Sequence, residues 1–439
     1  MWNIYIAPEC DKPMIRYVIK TLVHHIGVKP LDQQLSVYIG MHPNSSEKRI
    51  CLVFDRVFLN DETNNNTLVY DYELLEKIGD SLTLRYEQGA ALDKNGRVRY
   101  ASLDPSIQKV LSEQFVDFFV DKVRHELIRL LKAESILFDD STPWMEKTIV
   151  LSHDVDDLYG KSWIRYAFWL TKGMKRFSSE IKRIKWWMNQ KSDPYFSPIE
   201  MCEIEGRHGF KSSFYFMAKS SYLSFDEGRR YNVKSKKVRL LISAVEKLGW
   251  EVGFHPSRKT FDNFRNLKKE YKRLSQSRAD ITGVRRHYLK GQYPQVWRDL
   301  EKLQIKYDTS VGWPDRFGAR SGTCRPFKAF DFIEDKELNI YEMPLTFMDG
   351  TLQYENAESY LSDYYDIENR LLASGVMTFL WHTDRLCNER GSAPWRTIYE
   401  AILNHWSKKG YRIISTRELI NEYMEHERRF KIEFKYERD

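Results

Sequence analysis

The chain has 439 residues. At roughly 150 residues per domain that allows about three domains, or two large ones, and excludes a single small module. Hydrophobic residues make up 42% and charged residues 30%, with 21 Gly and 14 Pro, which supplies a sizeable core and excludes collagen-like and disordered chains. Lys+Arg 69 against Asp+Glu 62 leaves a net charge of +7, too small on this length to point to nucleic acid as a partner.

No stretch approaches ~18 consecutive apolar residues, and Met1 to Pro13 lacks a basic start followed by an apolar run. Neither a membrane span nor a signal peptide is expected. The five cysteines, Cys10, Cys51, Cys202, Cys324 and Cys387, are odd in number, scattered and in no CxxC pair. That argues against a disulfide framework and a thiolate zinc site, and makes a reducing cytoplasm the expected location.

In chain order, residues 1–145 show strand-like runs at Trp2 to Ala7, Leu35 to Ile39 and Arg49 to Phe54, a polar loop at Asp61 to Thr67, and a helical stretch around Val110 to Leu131. They hold no polar cluster with catalytic spacing and read as an accessory α/β domain. From residue 146 to 439, β-rich runs alternate with helix-period segments. The runs are Thr148 to Leu151, Ser213 to Phe216, Trp250 to Phe254, Gly283 to Tyr288, Tyr307 to Val311, Ile340 to Leu345, Val376 to Trp381 and Tyr411 to Ser415, with amphipathic helices such as Val238 to Leu248 and Pro294 to Leu303 between. Such alternation predicts an α/β fold, a parallel sheet or a (β/α) barrel, whose reactive groups collect past the C-terminal strand ends.

An insertion at 160–200 breaks this pattern. Within it, 161–191 holds nine Lys/Arg against the single acid Glu180, with Trp163, Trp169, Trp186 and Trp187 interleaved. Two readings stand: a helical hairpin packing its tryptophans on the barrel, or peripheral contact with an anionic membrane surface.

The expected strand ends carry metal- and proton-competent side chains. The first ends in His153-Asp154-Val155-Asp156-Asp157. In an extended segment residues i and i+2 share a face, so Asp154 and Asp156 can address one site, where they repel unless a cation or proton lies between. Asp is also favoured at turns and caps. The third ends in Gly253-Phe254-His255-Pro256-Ser257, the fourth contains Arg285-Arg286-His287-Tyr288, and the seventh ends in Trp381-His382-Thr383-Asp384. Asp and His are oxygen and nitrogen ligands of a Zn²⁺-type site, where a bound water has its pKa lowered to about 7.

This series resembles the polysaccharide deacetylase family (NodB homology domain), metal-dependent amide hydrolases that deacetylate N-acetylated sugars on a distorted (β/α) barrel. The likeness runs from Thr148 to about Thr416. It implies that Asp154 is the general base, Asp156 and His255 are metal ligands, Arg285 or Arg286 orients the base, and His382 is the general acid. Asp308-Thr309-Ser310-Val311-Gly312-Trp313 resembles the family's fourth motif, and Gly209 to Phe216 its second strand. One position departs. Four residues after His255, where the family offers a second ligand, stands Lys259, a poor ligand while protonated. A catalytic zinc normally has three protein ligands, so His287 is the best substitute and His153 a weaker one. A subgroup with an appended N-terminal domain spells these motifs His-Asp-Val-Asp, His-Pro-Ser and Arg-x-His-Tyr-Leu, as here, which favours His287.

The resemblance implies a divalent metal, with Zn²⁺ first among the candidates, and a carbohydrate partner that is free, nucleotide-linked or lipid-linked. Tyr288, Trp313 and Trp381 could stack on sugar faces, Arg320 could meet a substrate anion, and Glu342 and Asp349 could orient the arginines. The rival expectations are a hydrolase of a non-sugar amide, and an inactive carbohydrate-binding or scaffold protein motivated by Lys259.

Overall fold

The computed structural model describes residues 1–31, 35–40, 51–55, 67–112, 114–159, 196–218, 231–277, 279–352, 356–386 and 395–436. Most of the insertion, including all of 161–191, lies outside the described residues, as does Cys387.

The first sheet uses β1 (Trp2–Ile6), β3 (Leu35–Ile39), β4 (Cys51–Asp55) and β5 (Thr67–Asp71), all parallel, beside the short antiparallel pair β2 (Lys29–Pro30) and β6 (Phe138–Asp139). Helix Pro13–Ile26 starts on a first-turn proline and stops at Gly27, whose φ of 64° is left-handed. The helical stretch expected at Val110 to Leu131 is two helices, Pro105–Ser112 and Phe115–Ala133. The fifth strand of this sheet comes from far away in sequence: β17 (Ile432–Tyr436) pairs in parallel with β1, Trp2 opposite Ile432. The last described strand is therefore part of the first sheet.

The second sheet is large and mixed. Its strands are β7 (Thr148–Val155), β8 (Ser213–Met217), β9 (Glu251–His255), β10 (Gly283–Val284), β11 (Tyr307–Asp308), β12 (Phe327–Asp331), β13 (Lys336–Glu342), β14 (Phe347–Met348), β15 (Val376–Leu380) and β16 (Arg412–Ile414). They run in the order β12-β13-β11-β10-β9-β8-β7-β15-β14, with β16 on the start of β7. All ladders are parallel except β12 with β13. Each expected β run of the second half holds a strand. The end strands β12 and β14 are not joined by a ladder among the described residues, so the hydrogen bonding gives an α/β fold with a ten-stranded mixed sheet rather than a closed ring.

Two tyrosine side chains reach towards each other across the middle of this sheet. Tyr215 on β8 and Tyr307 on β11 stand three strands apart, about 14 Å at the usual spacing, yet their hydroxyl oxygens are 3.1 Å from one another. Room for the rings comes from glycine on the strands between: a Cβ on Gly253 would lie 2.3 Å from Tyr215 Cδ1, and one on Gly283 would lie 1.8 Å from Tyr307 Cζ. Because the ladders that join β15, β7, β8, β9 and β10 are parallel, the C-terminal ends of β7, β9, β10 and β15 lie at one end of the sheet, and the space between them is the hollow of the candidate site.

No helix among the described residues is long and apolar enough to cross a membrane.

Candidate metal centre

Three strand ends deliver one cluster. Asp156 follows β7, His255 ends β9 and His287 follows β10, and one ligand atom from each lies within 4.8 Å of the others. Both histidines are buried and Asp156 is partly exposed. The Nδ1 of His255 sits 2.6 Å from the carbonyl oxygen of Arg285. A carbonyl can only accept, so Nδ1 holds the ring proton and Nε2 turns its lone pair outward. That lone pair faces Asp156 Oδ1 at 3.2 Å, and His287 Nε2 faces the same oxygen at 3.4 Å. Acceptors converging like this need a cation or a proton among them. A two-histidine, one-carboxylate set is the donor chemistry of a catalytic divalent site, and the outward carbonyl bond is the usual way such a ligand is oriented. The residues fit a metal.

Lys259, in the position where another ligand was expected, is exposed on the 3-10 turn Arg258–Thr260. His153, the weaker substitute, is fully buried and committed elsewhere. Its Nδ1 lies 2.8 Å from Trp381 O and its Nε2 2.8 Å from Glu205 Oε1. Glu205 is buried too and accepts from Ser212, Trp250 and Tyr399. Burial pushes its carboxyl pKa up, but the facing His153 ring and these donors hold it below the ordinary range. His153 thus ties β7 to the residue before His382.

Asp154 is buried beside the cluster, its Oδ2 3.9 Å from His255 Nε2. Of the two arginines considered, Arg285 is the one that reaches it, with Nη1 3.5 Å from Oδ1. The guanidinium is wholly buried and held by Ser152 Oγ at 2.8 Å, Thr309 O at 3.1 Å and Thr309 Oγ1 at 3.0 Å, over the Tyr215 ring. Arg286 turns the other way, donating from Nε to Lys290 O at 2.8 Å.

His382 closes the hollow from β15. Its Nδ1 lies 2.9 Å from Asp349 Oδ1, and its backbone N–H donates to Oδ2 at 2.8 Å. Burial opposes a charge on the ring, yet the Asp349 carboxylate outweighs it, with Asp156 and Asp154 adding to the effect, and the pKa rises to about 10. Asp349 itself is fully buried, and despite that burial His382 and Arg385 keep its carboxyl low. Asp349 does not orient Arg320 or Arg325, which pair with Glu87 and Asp121; it holds His382, with Arg385 Nε 3.6 Å away. Glu342 instead accepts from Trp297 and Val311 and, with Asp308, forms a buried carboxyl pair. Burial pushes Asp308 up to about 6 and Glu342 further.

The proposed sugar contacts fare unevenly. Tyr288 is partly exposed next to the cluster, its ring 4.0 Å from that of His287. Trp381 is fully buried, stacked on Phe379 and packed against Tyr399 and Trp395. Trp313 is buried with Val98, Leu103 and Leu111, edge-on to Tyr100. Arg320 is 1% exposed and forms a bidentate pair with Glu87, both bonds 2.6 Å. Trp313, Trp381 and Arg320 are thus buried here: strand-end aromatics and an arginine near glycines have the same sequence signature whether they face a substrate, the core or the N-terminal region.

Sequence reasoning assigned no role to Ser152, Thr309 and Glu205. All act through a hydrogen bond to another polar group, and none carries a spacing signal of its own.

No family model matches the chain, and no curated protein does. Five chains of solved structures match, two of them as follows. One is described as a polysaccharide deacetylase from Mycobacterium smegmatis, with a TM-score of 0.44 and 10% identity over 68% of this chain and 97% of that one. The other is a variant of the peptidoglycan deacetylase PdaC from Bacillus subtilis, with a TM-score of 0.31 and 10% identity over 66% and 96%.

Proposed function

We propose that this chain is a metal-dependent amide hydrolase that removes the acetyl group from an N-acetylated sugar. The observation that carries the metal-dependent part is the convergence of His255 Nε2 and His287 Nε2 on Asp156 Oδ1, at 3.2 and 3.4 Å. A bound divalent ion, Zn²⁺ by this donor set, would polarise the amide carbonyl and acidify a water.

The chain's own groups account for the protons. Asp154, held in place by Arg285, takes a proton from the attacking water as its oxygen bonds to the carbonyl carbon. His382 carries its proton at neutral pH because of Asp349. It gives that proton to the amide nitrogen as the C–N bond breaks, leaving acetate and a free amine.

The sugar rests on the motif resemblance, with Tyr288 as the one proposed stacking residue at the hollow. The burial of Trp313 and Trp381 favours a second reading, in which the amide is not on a sugar. Acetate release separates the two. Metal-loaded protein is incubated with free, nucleotide-linked and lipid-linked acetamido sugars and with simple acylated amines. Turnover confined to the sugars supports the first reading, and turnover confined to the amines replaces it. No turnover of either, by a protein that takes up no metal, leaves only the scaffold.

A further inference from the structure

The turn that presents His287 is strained. Tyr288 and Leu289 have φ of 64° and 53°, two successive non-glycine residues in the left-handed region, which side chains resist and which persists only where the surroundings enforce it. On the inner side, Arg286 Nε donates to Lys290 O at 2.8 Å, Leu289 N–H donates to Arg286 O at 2.9 Å, and Leu289 is buried against Leu345 and Leu380.

The outer side is held by the N-terminal region. Arg97 Nη1 donates to the Tyr288 carbonyl at 3.3 Å. The guanidinium is itself fixed: Nε and Nη2 both reach Asp93 Oδ2, at 2.9 and 2.8 Å, while Asp93 Oδ1 accepts the N–H groups of Asn95 and Arg97. Both side chains are largely buried, at 17% and 10%. Gly96, between them in sequence, has a left-handed φ of 75° and lies against the end of the Lys290 side chain. The loop 93–97 thus clasps the turn that carries His287, and the Tyr288 ring transmits the contact by lying 4.0 Å from the imidazole.

We propose that Arg97 is a positioning residue for the metal centre: by holding the Tyr288 carbonyl it fixes the left-handed turn that aims His287 at Asp156 and His255. The inference rests on the reading of Asp156, His255 and His287 as metal ligands. It gives the N-terminal region a part in the centre.

The test is Co²⁺ binding to the full chain, followed by calorimetry and by the visible absorption of the bound ion. Outer groups that orient a ligand are typically worth about 10–100-fold in metal affinity. Arg97→Ala weakens Co²⁺ binding by about that factor and alters the absorption envelope, with cooperative unfolding retained. Arg97→Lys recovers only part of the loss, because an ammonium lacks the fork that engages Asp93 and Tyr288 together. Arg129→Ala, which breaks the exposed pair with Glu126, leaves binding unchanged. Should Arg97→Ala not fold, Asp93→Asn loosens the same clasp and also weakens binding. Wild-type affinity and spectrum in a folded Arg97→Ala or Asp93→Asn protein overturn the inference alone. A wild-type chain that takes up no Co²⁺ overturns it together with the metal reading.

Discussion

Asp349 holds His382 at two points, one carboxylate oxygen on the ring Nδ1 at 2.9 Å and the other on the backbone N–H at 2.8 Å. The first bond fixes the charge of the ring and the second fixes where the residue sits on the end of β15. One buried carboxylate thus sets both the proton inventory and the aim of the candidate acid.

The pH dependence follows from the direction of the shift. His382 is raised from the usual 6.5 to about 10, so the folded state binds this proton more tightly than the unfolded chain. The stabilisation is complete below pH ~6.5 and fades as pH rises through about 10. In the metal-free protein an NMR titration finds the His382 ring protonated at pH 8. Asp349→Asn brings the titration down towards or below the ordinary value, because burial then acts with less opposition, and lowers kcat by about 10²-fold or more. An unshifted midpoint in that variant would refute the assignment.

Metal content separates ligands from their neighbours. Asp156→Ala and His255→Ala lose stoichiometric metal as measured by plasma emission, whereas His153→Gln keeps it. The cost of His153→Gln appears in stability, because Glu205 loses the imidazole that faces it in a fully buried setting. Breaking such a pair typically costs about 3–5 kcal/mol, to be read from urea denaturation.

The two adjacent arginines give unequal results. Arg285→Met removes the guanidinium from Asp154, Ser152 and Thr309 and lowers kcat/KM at least about 10²-fold if Asp154 is the base. Arg286→Met, whose parent side chain points to Lys290 O, lowers kcat/KM less. Equal losses in the two would mean that Arg285 does not act on Asp154.

Arg320 was a candidate for substrate binding and is predicted to be a structural one. Its bidentate pair with Glu87 is buried on the arginine side and nearly so on the other, at 1% and 10%. Arg320→Ala destabilises the fold by about 3–5 kcal/mol, with KM unchanged for any substrate turned over at low temperature. A raised KM with an unaltered unfolding curve would restore the substrate role.

Much of the second sheet was legible because its signals are local: Thr148 to Leu151 and Val376 to Trp381 are short apolar runs bounded by polar strand ends. Asp154, Asp156, His255, His287 and His382 stood out because each sits just past such a run, where an α/β fold exposes its strands. Strand β10 was overread as Gly283 to Tyr288, since no Gly or Pro interrupts the sequence between Val284 and Lys290 while the backbone turns left-handed at Tyr288. The antiparallel β12 and the two-residue β14 were invisible, the first because its pairing with β13 breaks the strand-helix rhythm. What faces what could not be read at all. Whether Trp381 or Trp313 meets a ligand or the core, and whether Arg97 reaches Tyr288, depends on contacts between residues far apart in sequence, 191 positions in the case of Arg97 and Tyr288.

The pairing of β17 with β1 bears on how the molecule is made and how it can be cut. The first sheet gains its edge partner only after residues 432–436 have been synthesised, so its completion waits until the rest of the chain has left the ribosome. Dissection between 145 and 146 would yield two fragments that each miss a piece: one with an unpaired edge, the other with an orphan strand and a tendency to associate with foreign sheets. Expression trials of residues 146–439 alone should therefore carry β1 along, grafted after residue 436 or supplied as a separate peptide.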